Sequence, residues 1–138
     1  MFTTQTPPVR AGRREWLGLA VLMIPVLLIS IDNTVLGFAL PAISTGLHPT
    51  GTQLLWIVDI YALMLAGLLV AMGSIGDRFG RRLLLVIGAI GFGAASLLAA
   101  FSTTPEMLIV ARSLLGVFGA TLMPSTLSLI RNIFLDAR

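Results

Sequence analysis

Four long apolar runs constrain this chain more than anything else in it. They cover about residues 16–40, 53–75, 83–101 and 107–130. A hydrocarbon core about 30 Å thick takes roughly 20 helical residues to cross, and each run is close to that length. In lipid only helices and closed barrels satisfy every backbone polar group, and unbroken runs of this size do not read as barrel strands. Composition points the same way: 57% of the 138 residues are hydrophobic and 11% charged, where a soluble domain carries about 25% charged residues. The expected fold class is an all-α integral membrane protein with four transmembrane helices, and its first partner is the lipid bilayer. Helix punctuation supports the joints. Pro41 is expected to close the first run, Thr50 and Gln53 predict a capping box, and Thr104-Pro105-Glu106 fits N-cap, N1 and N2 of the fourth helix.

The basic residues are all arginine, and their placement sets an orientation. Arg10, Arg13 and Arg14 precede the first run, Arg78, Arg81 and Arg82 separate the second from the third, and Arg131 and Arg138 follow the fourth. The other two connections, around residues 42–52 and 102–106, hold no Arg or Lys. The positive-inside rule then places both termini in the cytoplasm, and residues 1–14 read as a disordered cytoplasmic arm. Arginines spent in this way leave no solvated basic face, which excludes nucleic acid as a partner despite the net charge of +3. No cysteine and one histidine leave no metal site. No cofactor is implied, and no nucleophile–base set or phosphate loop points to an enzyme.

Three charges fall inside the runs: Asp32, Asp59 and Arg112. A charge at mid-bilayer costs about 2.5–3.5 kcal/mol on insertion scales and marks a functional site by default. At about 1.5 Å per residue, Asp32 lies some 22–24 Å up an ascending helix, while Asp59 and Arg112 lie roughly 8–9 Å down descending ones. All three arrive at similar height in the outer half of the bilayer. Burial disfavours an ionised carboxylate and a nearby guanidinium favours it, so a small movement can switch such a group between protonated and charged forms. That is what a proton-coupled carrier needs, and a buried anion also attracts a lipophilic cation. Two plainer readings stand beside this one: a structural Asp32–Arg112 lock between helices, and an Asp59 that reaches for the outer interface. Gly116 and Gly119 follow Arg112 at helical spacing and offer a face for close helix packing.

The connection from Gly73 through Asp77, Arg78, Gly80, Arg81 and Arg82 carries more than topology requires, since Asp77 and the glycines add nothing to the positive charge. Asp77 is expected to cap the following helix, and the loop reads equally as a topology cluster or a gating element.

Taken together, these stretches resemble the major facilitator superfamily. The 73–82 segment is similar to that family's G-x-x-x-D-R-x-G-R-R signature between its second and third helices. Ile31-Asp32-Asn33-Thr34-Val35 through Pro41 is similar to the first-helix motif of its drug:proton antiporters, and Arg112-Ser113-Leu114-Leu115-Gly116 with Gly119 to the fourth-helix motif. Trp56 to Tyr61 looks like the second helix of the fourteen-span multidrug branch. The resemblance implies a proton-coupled efflux antiporter of the bacterial plasma membrane that exports lipophilic cations. Asp32, Asp59 and Arg112 would then serve proton coupling or cation recognition, and the 73–82 residues would serve gating. Members have twelve or fourteen spans, so the expectation is the first four helices of such a protein, incomplete and inactive without its C-terminal helices. The rivals are a four-span transporter that self-assembles and a non-transporting subunit that packs on a larger transporter.

Overall fold

The computed structural model describes residues 12–135, without the side chains of the last two. Four helices follow one another: α1 (Arg13–Leu47), α2 (Gly51–Phe79), α3 (Arg81–Ala100) and α4 (Pro105–Leu135). All four are long and apolar enough to cross a membrane, and the protein is an all-α membrane protein. Arg13 and Arg14, read from sequence as part of the arm, belong to α1. Gly12 is the N-cap, and Glu15 in the first turn complements the helix dipole there. Residues 1–11 of that arm, with Arg10, lie outside the described residues, as does Arg138.

Pro41 does not close the first helix. α1 continues to Leu47 and ends at His48, whose φ of 47° is left-handed. Proline fits helical φ and forfeits one backbone bond, whereas stopping the helix at Pro41 would leave several carbonyls open. Past the proline, the Thr45 hydroxyl donates to the Pro41 and Ala42 carbonyls. The capping box forms as its residues predict. Gln53 N–H donates to Thr50 Oγ1, and the Thr50 N–H donates to Gln53 Oε1 at 2.9 Å. Thr104 Oγ1 likewise accepts from the Met107 N–H at the start of α4.

α4 is the central helix. Half of its apolar stretch is buried, against 11–17% in the other three, because α1, α2 and α3 all pack on it. Its seam with α2 is tight: a Cβ on Gly116 would stand 2.7 Å from both Met64 Cβ and the Tyr61 carbonyl oxygen. On the α3 side Gly91 lies under the Phe118 ring and Gly88 under Thr121. Close approach of this kind carries helix association in lipid, where burying apolar surface drives little. The core gathers Ile29, Tyr61, Phe92, Ala95, Leu115 and Leu122 from all four helices. Large apolar side chains such as Leu17, Phe38, Val70 and Ile90 face outward, as lipid-facing positions do.

Candidate functional site

On α1 the buried residues are Leu22, Pro25 and Ile29, a stripe at helical spacing whose next member is Asp32. The stripe lies against α4, so Asp32 is turned toward Arg112. Arg112 Nη1 donates to Asp32 Oδ2 at 2.6 Å. Its Nε donates to the Ile57 carbonyl of α2 at 3.2 Å, and its guanidinium carbon lies 4.7 Å from the centroid of the Tyr61 ring. The Arg112 side chain is 3% exposed and that of Asp32 17%. One guanidinium thus ties α1, α2 and α4 together. It meets an anion, a carbonyl dipole and a π-face, and these offset the cost of holding charge in low dielectric.

The pair is set in the wall of an open cleft of about 610 Å³ between α1, α3 and α4. Apart from Ser96, Ser102 and the pair itself, the lining is apolar, with Leu28, Val35, Phe92 and Leu108 among it. An apolar volume with one ion pair at its edge suits a largely apolar ligand. Asp32, the more exposed member, is the one able to meet such a ligand.

Asp59 does not join the pair. It stands near that level but is exposed. It lies two positions after buried Ile57, which is about 200° around a helix, so α2 presents Ile57 and Tyr61 inward and Asp59 outward. Rise per residue sets height and not azimuth, and on that second coordinate the expected triad divides into a pair and a separate acid.

The 73–82 segment is mostly helix. Gly73, Asp77 and Arg78 belong to α2, Arg81 and Arg82 to α3, and Gly80 alone breaks the chain between them, at φ 101° and ψ 125°. Asp77 does not cap α3, whose N-cap Gly80 has no side-chain bond. Its carboxylate instead accepts from Arg81 Nε at 2.9 Å, four residues on, because α2 runs on through Phe79 and keeps Asp77 inside the helix, ahead of the corner at Gly80. Arg78 and Arg82 are exposed. Gly73, Asp77 and Arg81 share a small cleft of about 70 Å³ with Gly76, Pro124 and Ser125, which sets this corner against α4. Gly116 and Gly119 face α2, where a Cβ on Gly119 would meet Leu65 Cδ1 at 2.9 Å.

Tyr61 entered the sequence reading only as the end of the Trp56–Tyr61 stretch and not as a site residue. Its signal was there: it is the chain's one tyrosine, and it sits in an apolar run one turn from Ile57, where a polar aromatic needs a reason.

Fold and site define a multi-span helical membrane protein with an ion pair buried among three helices at the edge of an apolar cleft. Residues 22–138 match the Major Facilitator Superfamily, and the chain belongs to that family of transporters. It is 64% identical over 98% of its length to the "Multidrug efflux pump LfrA" of Mycolicibacterium smegmatis, and covers 26% of that protein. It is also 44% identical over 91% of its length to the "Methyl viologen resistance protein SmvA" of Salmonella typhimurium. The "Puromycin resistance protein pur8" of Streptomyces alboniger is 41% identical over 89% of this chain. The chain spans about a quarter of the length of these curated relatives, 24–26%.

Proposed function

We propose that this chain supplies the proton- and cation-handling helices of a drug efflux antiporter of the bacterial plasma membrane, exchanging protons for lipophilic cations. The observation that carries the reading is the Asp32–Arg112 pair at 2.6 Å in the wall of an apolar cleft. A cation entering the cleft competes with Arg112 for Asp32, and a proton on Asp32 removes the attraction for both. Occupancy by proton and by cation then exclude one another, which is the elementary requirement of exchange. Relatives named for multidrug efflux and for methyl viologen resistance support it, methyl viologen being an organic dication. Both termini and the Asp77–Arg81 corner lie on the cytoplasmic side in this reading, with Asp77, Arg78 and Arg82 placed to dock on the remaining helices of the transporter. Alternating access needs two halves moving about a central site, so transport is a property of these helices together with the rest of such a protein.

The test is a chimera in which this chain replaces the matching quarter of the M. smegmatis pump. In everted membrane vesicles with an acidified lumen, adding tetraphenylphosphonium should alkalinise the lumen as cation enters and protons leave. Cation uptake indifferent to the pH gradient would refute proton exchange.

A further inference from the structure

Arg112 has two sets of partners on two different helices. One is Asp32 on α1. The other is on α2, where the Ile57 carbonyl lies 3.2 Å from Nε and the Tyr61 ring 4.7 Å from the guanidinium carbon. Tyr61 is itself immobilised: it is 3% exposed, and its backbone carbonyl and hydroxyl both border the Gly116–Gly119 face of α4. Its hydroxyl is buried without a hydrogen-bond partner among the described residues, and its contact with Arg112 is made by the face of the ring.

Resting on the antiport reading above, we propose that Tyr61 is a positioning residue for Arg112, its ring holding the guanidinium on α2 when Asp32 lets go. A proton or a cation on Asp32 deprives Arg112 of its counter-charge. Without a second seat the arginine would follow α1 or swing into the cleft, where its own charge would repel a cationic ligand. With the Tyr61 ring and the Ile57 carbonyl in place it stays against α2 and α4, and Asp32 is released alone. A cation–π contact is strongest where water is excluded, and it needs the ring rather than the hydroxyl. The ion pair therefore opens on the α1 side.

Two variants separate ring from hydroxyl. In the chimera Tyr61→Phe should export within about twofold of the parent, since the ring is kept. Tyr61→Leu should lose proton-driven export and cation–cation exchange alike, each about tenfold, since a proton and a cation both displace Arg112 from Asp32. Parental export or parental exchange in Tyr61→Leu, or a Tyr61→Phe as impaired as Tyr61→Leu, would each overturn the proposal. A second measurement does not depend on transport. Because Tyr61 is the chain's one tyrosine, 3-fluorotyrosine labelling of the 138-residue chain in nanodiscs gives a single assignable ¹⁹F resonance. That resonance should move in Arg112→Gln and move less in Asp32→Asn, where the cation stays over the ring. A resonance unmoved by Arg112→Gln overturns the seat itself. A chimera without proton-driven export, beside a resonance that responds, refutes the antiport reading and leaves the seat standing.

Discussion

Gly116→Ala is the substitution whose cost follows most directly from the geometry. The added Cβ would lie 2.7 Å from Met64 Cβ and 2.7 Å from the Tyr61 carbonyl oxygen, where ordinary contact begins at 3.4 Å. Met64 Cβ and a helical carbonyl are both fixed to the α2 backbone, so α2 and α4 must separate by about 0.7 Å at this level. Overpacking of this kind costs about 1–3 kcal/mol, and the better helix propensity of alanine returns about 0.8–1 kcal/mol. The net expectation is a loss of about 0–2 kcal/mol, against the gain expected of an uncrowded glycine. Separation also reaches the site: Arg112 is one turn away on α4, and its bond to the Ile57 carbonyl, now 3.2 Å, would stretch past hydrogen-bonding range. Two controls set the scale. Gly119→Ala is crowded only by the tip of Leu65, which can rotate, with the Tyr61 hydroxyl at 3.4 Å in ordinary contact, and should be near neutral; Gly93→Ala meets nothing within 4 Å and should gain up to about 1 kcal/mol. The assay is loss of helical circular dichroism on titrating SDS into mixed micelles. A Gly116→Ala protein as stable as Gly93→Ala would refute the packing argument.

Other expectations follow from single positions. Gly80 stands at φ 101°, so Gly80→Ala should cost about 1–3 kcal/mol in the same titration through backbone strain alone. The Asp77–Arg81 pair is 58% and 38% exposed, so Asp77→Asn should change stability by less than about 0.5 kcal/mol; a large loss of export in the chimera then reports gating, and unchanged export removes Asp77 from it. Asp59→Asn should weaken export of divalent cations more than of monovalent ones, and equal loss for both would assign Asp59 a structural role.

The four spans were legible because lipid leaves a backbone so few choices, and the capping residues marked two of the joints. The limits were of two kinds. Pro41 misled because proline fits helical φ and removes only one backbone bond, so a helix can run through it, as α1 does to Leu47. Asp77 misled because α2 outlasts its apolar run by a full turn. Within the site, Asp32 and Arg112 could be matched by height, since both sit on faces that also carry buried or small residues. Asp59 has the same height and the wrong azimuth, and one helix's periodicity does not say which neighbour its faces meet. The Ile57 carbonyl could not be foreseen at all, because a main-chain acceptor leaves no trace in residue type.

The central claim is that the Asp32 carboxylate exchanges its proton for the cation. Its most direct test is cation-induced proton release by the purified chimera in weakly buffered detergent, followed with a pH-sensitive dye as tetraphenylphosphonium is added. The account predicts release by the parent and none by Asp32→Asn, with circular dichroism showing the variant folded. Undiminished release from Asp32→Asn would contradict it.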